Sequence, residues 1–236
     1  SGVNEVGQPH PFTATVEQDN GSGWVKVQGA LVTLTINPGV ATWVDNNASS
    51  ITCTTDANGV CTKSLNSTTA GSNTVNASAT ISVNGVSFNL TTDNDANTPS
   101  GAPATKKYVD ANITITATAT NPVNAPHTFT VTVTQFPGTA TPVATTANVT
   151  VSINPTPTGN GINPTTCGPA VAFVGNVATC TYTINNNAPG VFTANASASL
   201  TVGGVALTRA TNGNAGPGGS GAAVKTYEAG TIIVKK

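Results

Sequence analysis

The sequence predicts an all-β protein made of two tandem antiparallel β-sandwiches, and three observations support this. Apolar residues alternate with threonine along several segments, as in Phe12, Ala14 and Val16. A period of two places one face of a strand in a core and the other in solvent. Turn dipeptides such as Asn84-Gly85 and Gly203-Gly204 separate these segments, as expected for hairpins. The whole pattern occurs twice, and no segment has a convincing helical period.

The two copies are related by a shift of 117 to 119 residues. Pro9-His10-Pro11-Phe12-Thr13 recurs as Pro126-His127-Thr128-Phe129-Thr130, and Asn76-Ala77-Ser78-Ala79 recurs as Asn195-Ala196-Ser197-Ala198. Each copy has the size of an independent sandwich domain. We therefore expect domain 1 over residues 1–110, domain 2 over residues 111–229 and a C-terminal donor strand over residues 230–236.

Charged residues make up only 7% of the 236-residue chain, and the net charge is −1. This composition provides no basic face for nucleic acid. No apolar run reaches the roughly 18 residues of a membrane span. Between Asp110 and Lys225 the only formal charge is Arg209, so domain 2 has no carboxylate pair for acid–base chemistry. We expect no enzymatic activity and no cofactor, and we interpret His10 and His127 as structural copies.

The four cysteines form two sequential pairs and predict disulfides Cys53–Cys61 and Cys167–Cys180. The first pair brackets the turn around Asn58, so we expect a tight hairpin to join its two strands. The alternative is a four-cysteine zinc site, whose usual ligand spacing is absent. Disulfides and a chain without methionine predict a mature polypeptide that is secreted and extracellular or on the cell surface; a trimmed fragment would give the same composition.

Two stretches of the first copy resemble bacterial immunoglobulin-like repeats of the invasin and intimin kind. They are Thr55-Asp56-Ala57-Asn58-Gly59-Val60 and Thr69-Ala70-Gly71-Ser72-Asn73-Thr74-Val75-Asn76-Ala77. The second copy keeps Gly190-Val191-Phe192-Thr193-Ala194-Asn195-Ala196 but lacks the Asp-Ala-Asn-Gly turn. The resemblance covers nearly the whole chain. It implies immunoglobulin-like sandwiches that serve as surface-exposed spacer or adhesive modules without catalysis.

The junction between the copies, Lys106 to Ile115, predicts one strand that ends domain 1 and begins domain 2. The segment Lys225 to Lys236 repeats that junction, whereas the first copy has no counterpart of Asn112 to Thr120. We therefore expect domain 1 to lack its first strand and to accept a strand from another copy. The predicted donor residues are Thr231, Ile232, Ile233 and Val234, with Ile232 and Val234 pointing inward.

These features favour a structural subunit of an extracellular filament or pilus, a head-to-tail homopolymer of copies of this chain. A host or surface receptor is a further expected partner. One alternative is that Thr226 to Val234 closes domain 2 while Ser1 to Asn4 seals domain 1. Another is a fragment of a longer repeat array, acting as the stalk or spacer of a bacterial surface adhesin. A carbohydrate-binding module would need an exposed aromatic platform, and Trp24 and Trp43 are the only tryptophans.

Two further kinds of site are weaker candidates. Alternating oxygen side chains at Asp93, Asp95 and Asn97 are typical of calcium loops, but the later glutamate of an EF-hand is missing; a solvated loop is the alternative, and we expect no other metal. Asn-x-Ser/Thr motifs predict N-glycosylation if the source glycosylates exported proteins. Their asparagines are Asn20, Asn47, Asn66, Asn76, Asn89, Asn112, Asn148 and Asn195.

Overall fold

A computed structural model of the chain describes residues 2–92, 101–116, 118–159 and 165–234. These residues form strands and turns without a helix, so the all-β prediction is confirmed. Within these ranges no helix is long and apolar enough to cross a membrane. The chain divides into two compact units: Ser1–Val109 with Pro137–Ala140, and Asp110–Phe136 with Thr141–Lys236. The division into domains at residues 110 and 111 stays a prediction.

Unit 1 contains two main sheets and a separate two-stranded hairpin. Its strands are β1 Gly2–Glu5, β2 His10–Thr15, β3 Glu17–Asp19, β4 Trp24–Lys26, β5 Leu31–Ile36, β6 Thr42–Trp43, β7 Ser50–Thr54, β8 Val60–Asn66, β9 Gly71–Val83, β10 Val86–Thr91 and the first half of β11 Ala104–Ile115. The larger sheet has the order β1-β11-β9-β5-β7, with β10 also paired to β9. The smaller sheet has the order β2-β8-β6, and β3 forms a short hairpin with β4.

Unit 2 contains the second half of β11 and eight further strands. They are β12 Ala119–Pro122, β13 His127–Phe136, β14 Thr146–Asn154, β15 Val171–Val174, β16 Val177–Ile184, β17 Gly190–Val202, β18 Val205–Ala210 and β19 Ala223–Glu228. One sheet has the order β12-β19-β17-β14, with β18 also paired to β17. The other has the order β11-β13-β16, and β15 pairs with both β14 and β16.

The strand predicted at the junction is present as β11. Its first half pairs with β9 of unit 1, from Ala104 to Tyr108, and its second half pairs with β13 of unit 2, from Asp110 to Ile115. The sequence favours this because apolar residues continue through the junction and neither glycine nor proline interrupts them. One strand therefore belongs to both units.

The alternating residues form the cores. In unit 1, Val32, Leu34 and Ile36 of β5 are buried, and in unit 2 Phe129, Val131 and Val133 of β13 are fully buried. The outward threonines of β2 and β13 bond across the sheet to their neighbours, for example Thr128 Oγ1 with Thr183 Oγ1 at 2.8 Å. The predicted Asn84-Gly85 and Gly203-Gly204 turns join β9 to β10 and β17 to β18. Both residues of each turn have positive φ, as a two-residue hairpin requires.

Both disulfides occur in the structure, Cys53–Cys61 and Cys167–Cys180, and no described cysteine is free for zinc. The hairpin predicted around the first disulfide is wrong. Strand β7 pairs with β5 in the larger sheet, whereas β8 pairs with β2 and β6 in the smaller one. The bond therefore links the two sheets. A turn such as Asp56 to Gly59 looks the same in sequence whether the chain returns along its own sheet or crosses to another.

The second disulfide should stabilise unit 2 through the loop it closes. Its cysteines lie 13 residues apart, and the chain-entropy model assigns a loop of this size roughly 3 kcal/mol. We expect the variant Cys167→Ser/Cys180→Ala to lower the free energy of unfolding of unit 2 by about this amount, measured by urea denaturation. An unchanged denaturation midpoint would contradict this role.

Candidate functional site: the open edge of unit 1

Unit 2 shows how a closed sandwich is completed at one edge. The segment Asp110–Ile115 of β11 lies against β13, with Ile113 opposite Val133 and Ile115 opposite Val131. On its other side Ile113 donates its N–H to Ala215 O at 2.9 Å and accepts from the N–H of Ser220 at 3.1 Å. Ile113 and Ile115 are both buried. This segment therefore pairs with strand backbone on one side and covers the core with its side chains.

Unit 1 has no strand at the equivalent edge within the described residues. Strand β2 corresponds to β13, but its only ladder is with β8. Val16, just after β2, donates its N–H to Gly59 O at 2.8 Å and accepts from the N–H of Val27 at 3.0 Å. Because successive residues of a strand present their main-chain groups to opposite sides, those of Thr15 and Glu17 face the free edge.

A groove lies beside this edge. Its volume is ≈ 570 Å³, and it runs between β2 and β3 on one side and β9 and β10 on the other. Apolar side chains form much of its lining: Ala14, Val16, Trp24, Val32, Ala77, Ala79, Ile81, Val83, Phe88 and Leu90. Free main-chain groups beside an apolar floor are what an added β-strand requires. We call this region the acceptor groove.

The two units allow an internal comparison of the groove with its closed counterpart. Phe88 of β10 is 47% exposed, whereas Leu207, at the same position of β18, is 1% exposed. Ala79 of β9 is half-buried, whereas its counterpart Ala198 is fully covered. Unit 2 has Asp110–Ile115 at this edge, and the described part of unit 1 has no such strand. The missing strand accounts for the uncovered residues.

The closed edge of unit 2 also contains a buried ion pair that the sequence alone does not predict. The Arg209 guanidinium bonds to the Asp110 carboxylate, and Arg209 Nε donates to Ala111 O at 2.7 Å. Both charged side chains are buried. In unit 1 the position of Arg209 is occupied by Leu90, which lines the acceptor groove. The groove is therefore uncharged where its counterpart is cationic.

The C-terminal segment is exposed and unpaired among the described residues. Strand β19 ends at Glu228, and Ile232, Ile233 and Val234 are 92%, 75% and 90% exposed. The alternative that Thr226 to Val234 closes unit 2 is thus wrong beyond Glu228. We call residues 229–234 the tail.

The opening residues do not seal the free edge of unit 1 either. Strand β1 runs parallel to β11, with Gly2 opposite Lys106 and Asn4 opposite Tyr108. This is the position that β12 takes beside β19 in unit 2. The alternative role for Ser1 to Asn4 is therefore wrong for the described residues, because β1 lies beside β11 and not beside β2.

A second repeated feature lies in each core. Lys106 is fully buried and donates from Nζ to Asn4 Oδ1 at 2.7 Å, while the Tyr108 hydroxyl donates to Leu65 O at 2.9 Å. In unit 2 the Tyr227 hydroxyl donates to Ile184 O at 3.0 Å. The tyrosine bonds fix the last strand of each unit to the opposite sheet. The repeat of Lys-x-Tyr in the sequence was the signal that could have revealed them.

Burial changes the acid–base properties of these groups. It lowers the pKa of Lys106 and Lys225, and it raises the pKa of Tyr108 to about 12. His10 and His127 contact Phe12 and Phe129 edge to face, with ring centroids 5.4 and 4.6 Å apart. Desolvation, and then the nearby lysine charge, lowers the pKa of both histidines. These lysine, tyrosine and histidine side chains therefore pack inside their own units.

The remaining predicted sites are distributed over the two units. Asp93, Asp95 and Asn97 lie outside the described residues, and the described part of the chain contains no cluster that could hold a metal ion. None of the eight sequon asparagines is buried; Asn20, Asn47, Asn89 and Asn148 are exposed and the other four are half-buried. Trp43 is fully buried while Trp24 is exposed, so the two do not form the platform that the carbohydrate-binding alternative requires.

Comparison with known proteins finds similarity among solved structures. No protein-family model and no curated protein matches the chain. The D0-D1 domain of intimin is 20% identical over 96% of this chain and 93% of that chain, with a TM-score of 0.29. FdeC, an Escherichia coli adhesin, is 14% identical over 97% of this chain and 62% of that chain, with a TM-score of 0.44. Invasin, a bacterial integrin-binding protein, is 18% identical over 85% of this chain and 38% of that chain, with a TM-score of 0.25.

Intimin and invasin, whose immunoglobulin-like repeats the sequence resembles, are among these matches. The chain spans less than two thirds of the FdeC and invasin structures. All three identities are at or below 20%, and all three TM-scores are below 0.5. The matches therefore assign neither a binding partner nor an assembly to this chain.

The lowered pKa of the histidines predicts sensitivity to mild acid. A histidine with a depressed folded-state pKa contributes stability above its unfolded value of 6.5, and this contribution is lost as the pH falls through the folded-state pKa. We expect the thermal midpoint to fall between pH 7 and pH 5, measured by circular dichroism. The variant His10→Gln/His127→Gln should reduce this fall, and an identical pH dependence in the variant would contradict the assignment.

Proposed function

We propose that this chain is a structural module of an extracellular, cell-surface filament. In this proposal the tail of one copy occupies the acceptor groove of the next copy as an added β-strand. The two disulfides are consistent with an oxidising, extracellular setting. The observation that carries the proposal is that one chain has both an uncovered groove in unit 1 and an uncovered apolar segment after unit 2.

The tail matches the strand that fills the equivalent position in unit 2. The repeat aligns Ile232 with Ile113 and Val234 with Ile115, the two isoleucines that are buried at the closed edge. In the same register Ile232 would lie opposite Val16 and Val234 opposite Ala14. Ile233 would face outward, at the position of the half-buried Thr114.

Both the tail and the groove contribute to the expected energy of the contact. Burying Ile232 and Val234 would stabilise the contact by about 3 to 6 kcal/mol, and each new main-chain hydrogen bond would add roughly 1 kcal/mol. Association costs on the order of 4 to 15 kcal/mol. Covering Phe88, which is now 47% exposed, would stabilise the contact further.

The geometry of the contact determines the kind of assembly. The tail and the groove are different surfaces of the same chain, so the contact is heterologous: each copy would offer one tail and one groove. Such contacts build an open chain of subunits unless the rotation between neighbours closes a ring. A filament is the form that we propose.

A second candidate function is supported by β11. In unit 2 the edge strand comes from the residues that directly precede the unit in the same chain. In a longer repeat protein a preceding segment would cover the acceptor groove in the same way. The chain would then be a stalk or spacer segment of a surface adhesin.

Self-assembly tests the filament proposal. We expect the purified chain to form concentration-dependent oligomers, seen by analytical ultracentrifugation, and filaments, seen by electron microscopy. Ile232→Asp should weaken assembly roughly 10- to 100-fold, because it removes about 1.5 to 3 kcal/mol of apolar burial. Ile233→Asp is the matched control, with the same charge one residue along, and should assemble nearly as the wild type.

A tail peptide separates the two candidate functions. A peptide of residues 229–236 should bind the chain lacking these residues and raise its thermal midpoint, since a ligand of the folded state stabilises it. Peptide binding without self-assembly of the intact chain would favour the spacer. Equal loss of assembly in Ile232→Asp and Ile233→Asp, or no peptide binding, would contradict tail insertion.

A further inference from the structure

We infer that one pair of facing positions determines which strand enters which unit. Between copies the pair is uncharged, Leu90 with Ala229. Within unit 2 it is charged, Arg209 with Asp110. This inference rests on the proposed insertion of the tail into the acceptor groove. It identifies Leu90 and Ala229 as determinants of specificity.

The repeat relates the four residues. Arg209 of β18 lies opposite Ala198 of β17, and Leu90 of β10 lies opposite Ala79 of β9, so Arg209 and Leu90 occupy the same register position. Asp110 begins the edge segment of unit 2, and the corresponding residue of the tail is Ala229. Both positions of the pair therefore differ in charge: they hold Arg209 and Asp110 at the closed edge, and Leu90 and Ala229 at the proposed junction.

The charged pair is deeply placed in unit 2. The side chains of Arg209 and Asp110 are 4% and 9% exposed, and their ion pair is supplemented by the bond from Arg209 Nε to Ala111 O. Separating such a pair leaves a buried charge without its partner, which is costly. The tail has alanine in place of the aspartate. If the tail replaced Asp110–Ile115, the buried Arg209 guanidinium would lose the carboxylate of its ion pair.

The acceptor groove has the opposite selectivity. Leu90 lines the groove and is half-buried, and a strand with alanine opposite it would bring no charge into an apolar site. A strand with aspartate there would bury a carboxylate beside leucine without a cation. The groove thus favours the tail, and unit 2 favours its own edge segment. Selection by mismatched charges against the wrong partner is a general means of specificity.

A charge-exchange cycle in the full-length chain tests this inference. Ala229→Asp alters an exposed tail residue, so the variant should fold as the wild type but assemble roughly 100-fold more weakly, because its carboxylate would be buried without a partner. Leu90→Arg alone should weaken assembly to a similar extent. The double variant Leu90→Arg/Ala229→Asp should recover assembly to within about tenfold of the wild type, as the pair of unit 2 is re-created.

Two controls keep the outcomes separate. Ile233→Asp places a carboxylate on the outward face of the tail, so adding it to the Leu90→Arg variant should not restore assembly. Binding of Ala- and Asp-containing tail peptides to wild-type and Leu90→Arg chains lacking residues 229–236 repeats the cycle without polymerisation. If the wild type neither assembles nor binds the tail peptide, the proposed function fails. If the wild type assembles but the double variant shows no recovery over the single variants, this inference alone is overturned.

Discussion

The edge of a β-sheet must be covered, and this requirement governs both units of the molecule. A strand with a free side exposes N–H and C=O groups that need partners, and in a sandwich it also leaves part of the core uncovered. Unit 2 meets the requirement with Asp110–Ile115, whose isoleucines are buried. Unit 1 has the equivalent sheet but no such strand among the described residues, and Phe88 is exposed as a result. The tail has Ile232 and Val234 where the edge segment of unit 2 has Ile113 and Ile115.

The internal repeat made much of the fold predictable. Two copies of one pattern indicated two sandwiches, and the uninterrupted junction indicated the shared strand β11. The position of Ile113 and Ile115 in the second copy allowed Ile232 and Val234 to be identified as their counterparts. These inferences depend on the alternation of apolar residues along a strand and on the alignment of the two copies. Both can be read directly from the sequence.

Other features depend on which sheet a strand joins, and local sequence does not determine this. The turn from Asp56 to Gly59 was interpreted as a hairpin, yet it crosses between sheets. The burial of Lys106 and Lys225 was missed because a lysine in a polar segment usually lies at the surface. The Arg209–Asp110 pair was also missed: its members are 99 residues apart in the chain, and only the paired strands bring them together.

The main-chain amides of β2 provide the most direct test of strand insertion. Hydrogen–deuterium exchange, followed by mass spectrometry or NMR, should be compared between the assembled protein and a chain lacking residues 229–236. If the tail pairs with the free edge of unit 1, the amides of Thr13, Thr15 and Glu17 should exchange much more slowly in the assembly, while those of β8 change little. Equally fast exchange of these three amides in both samples would contradict the account.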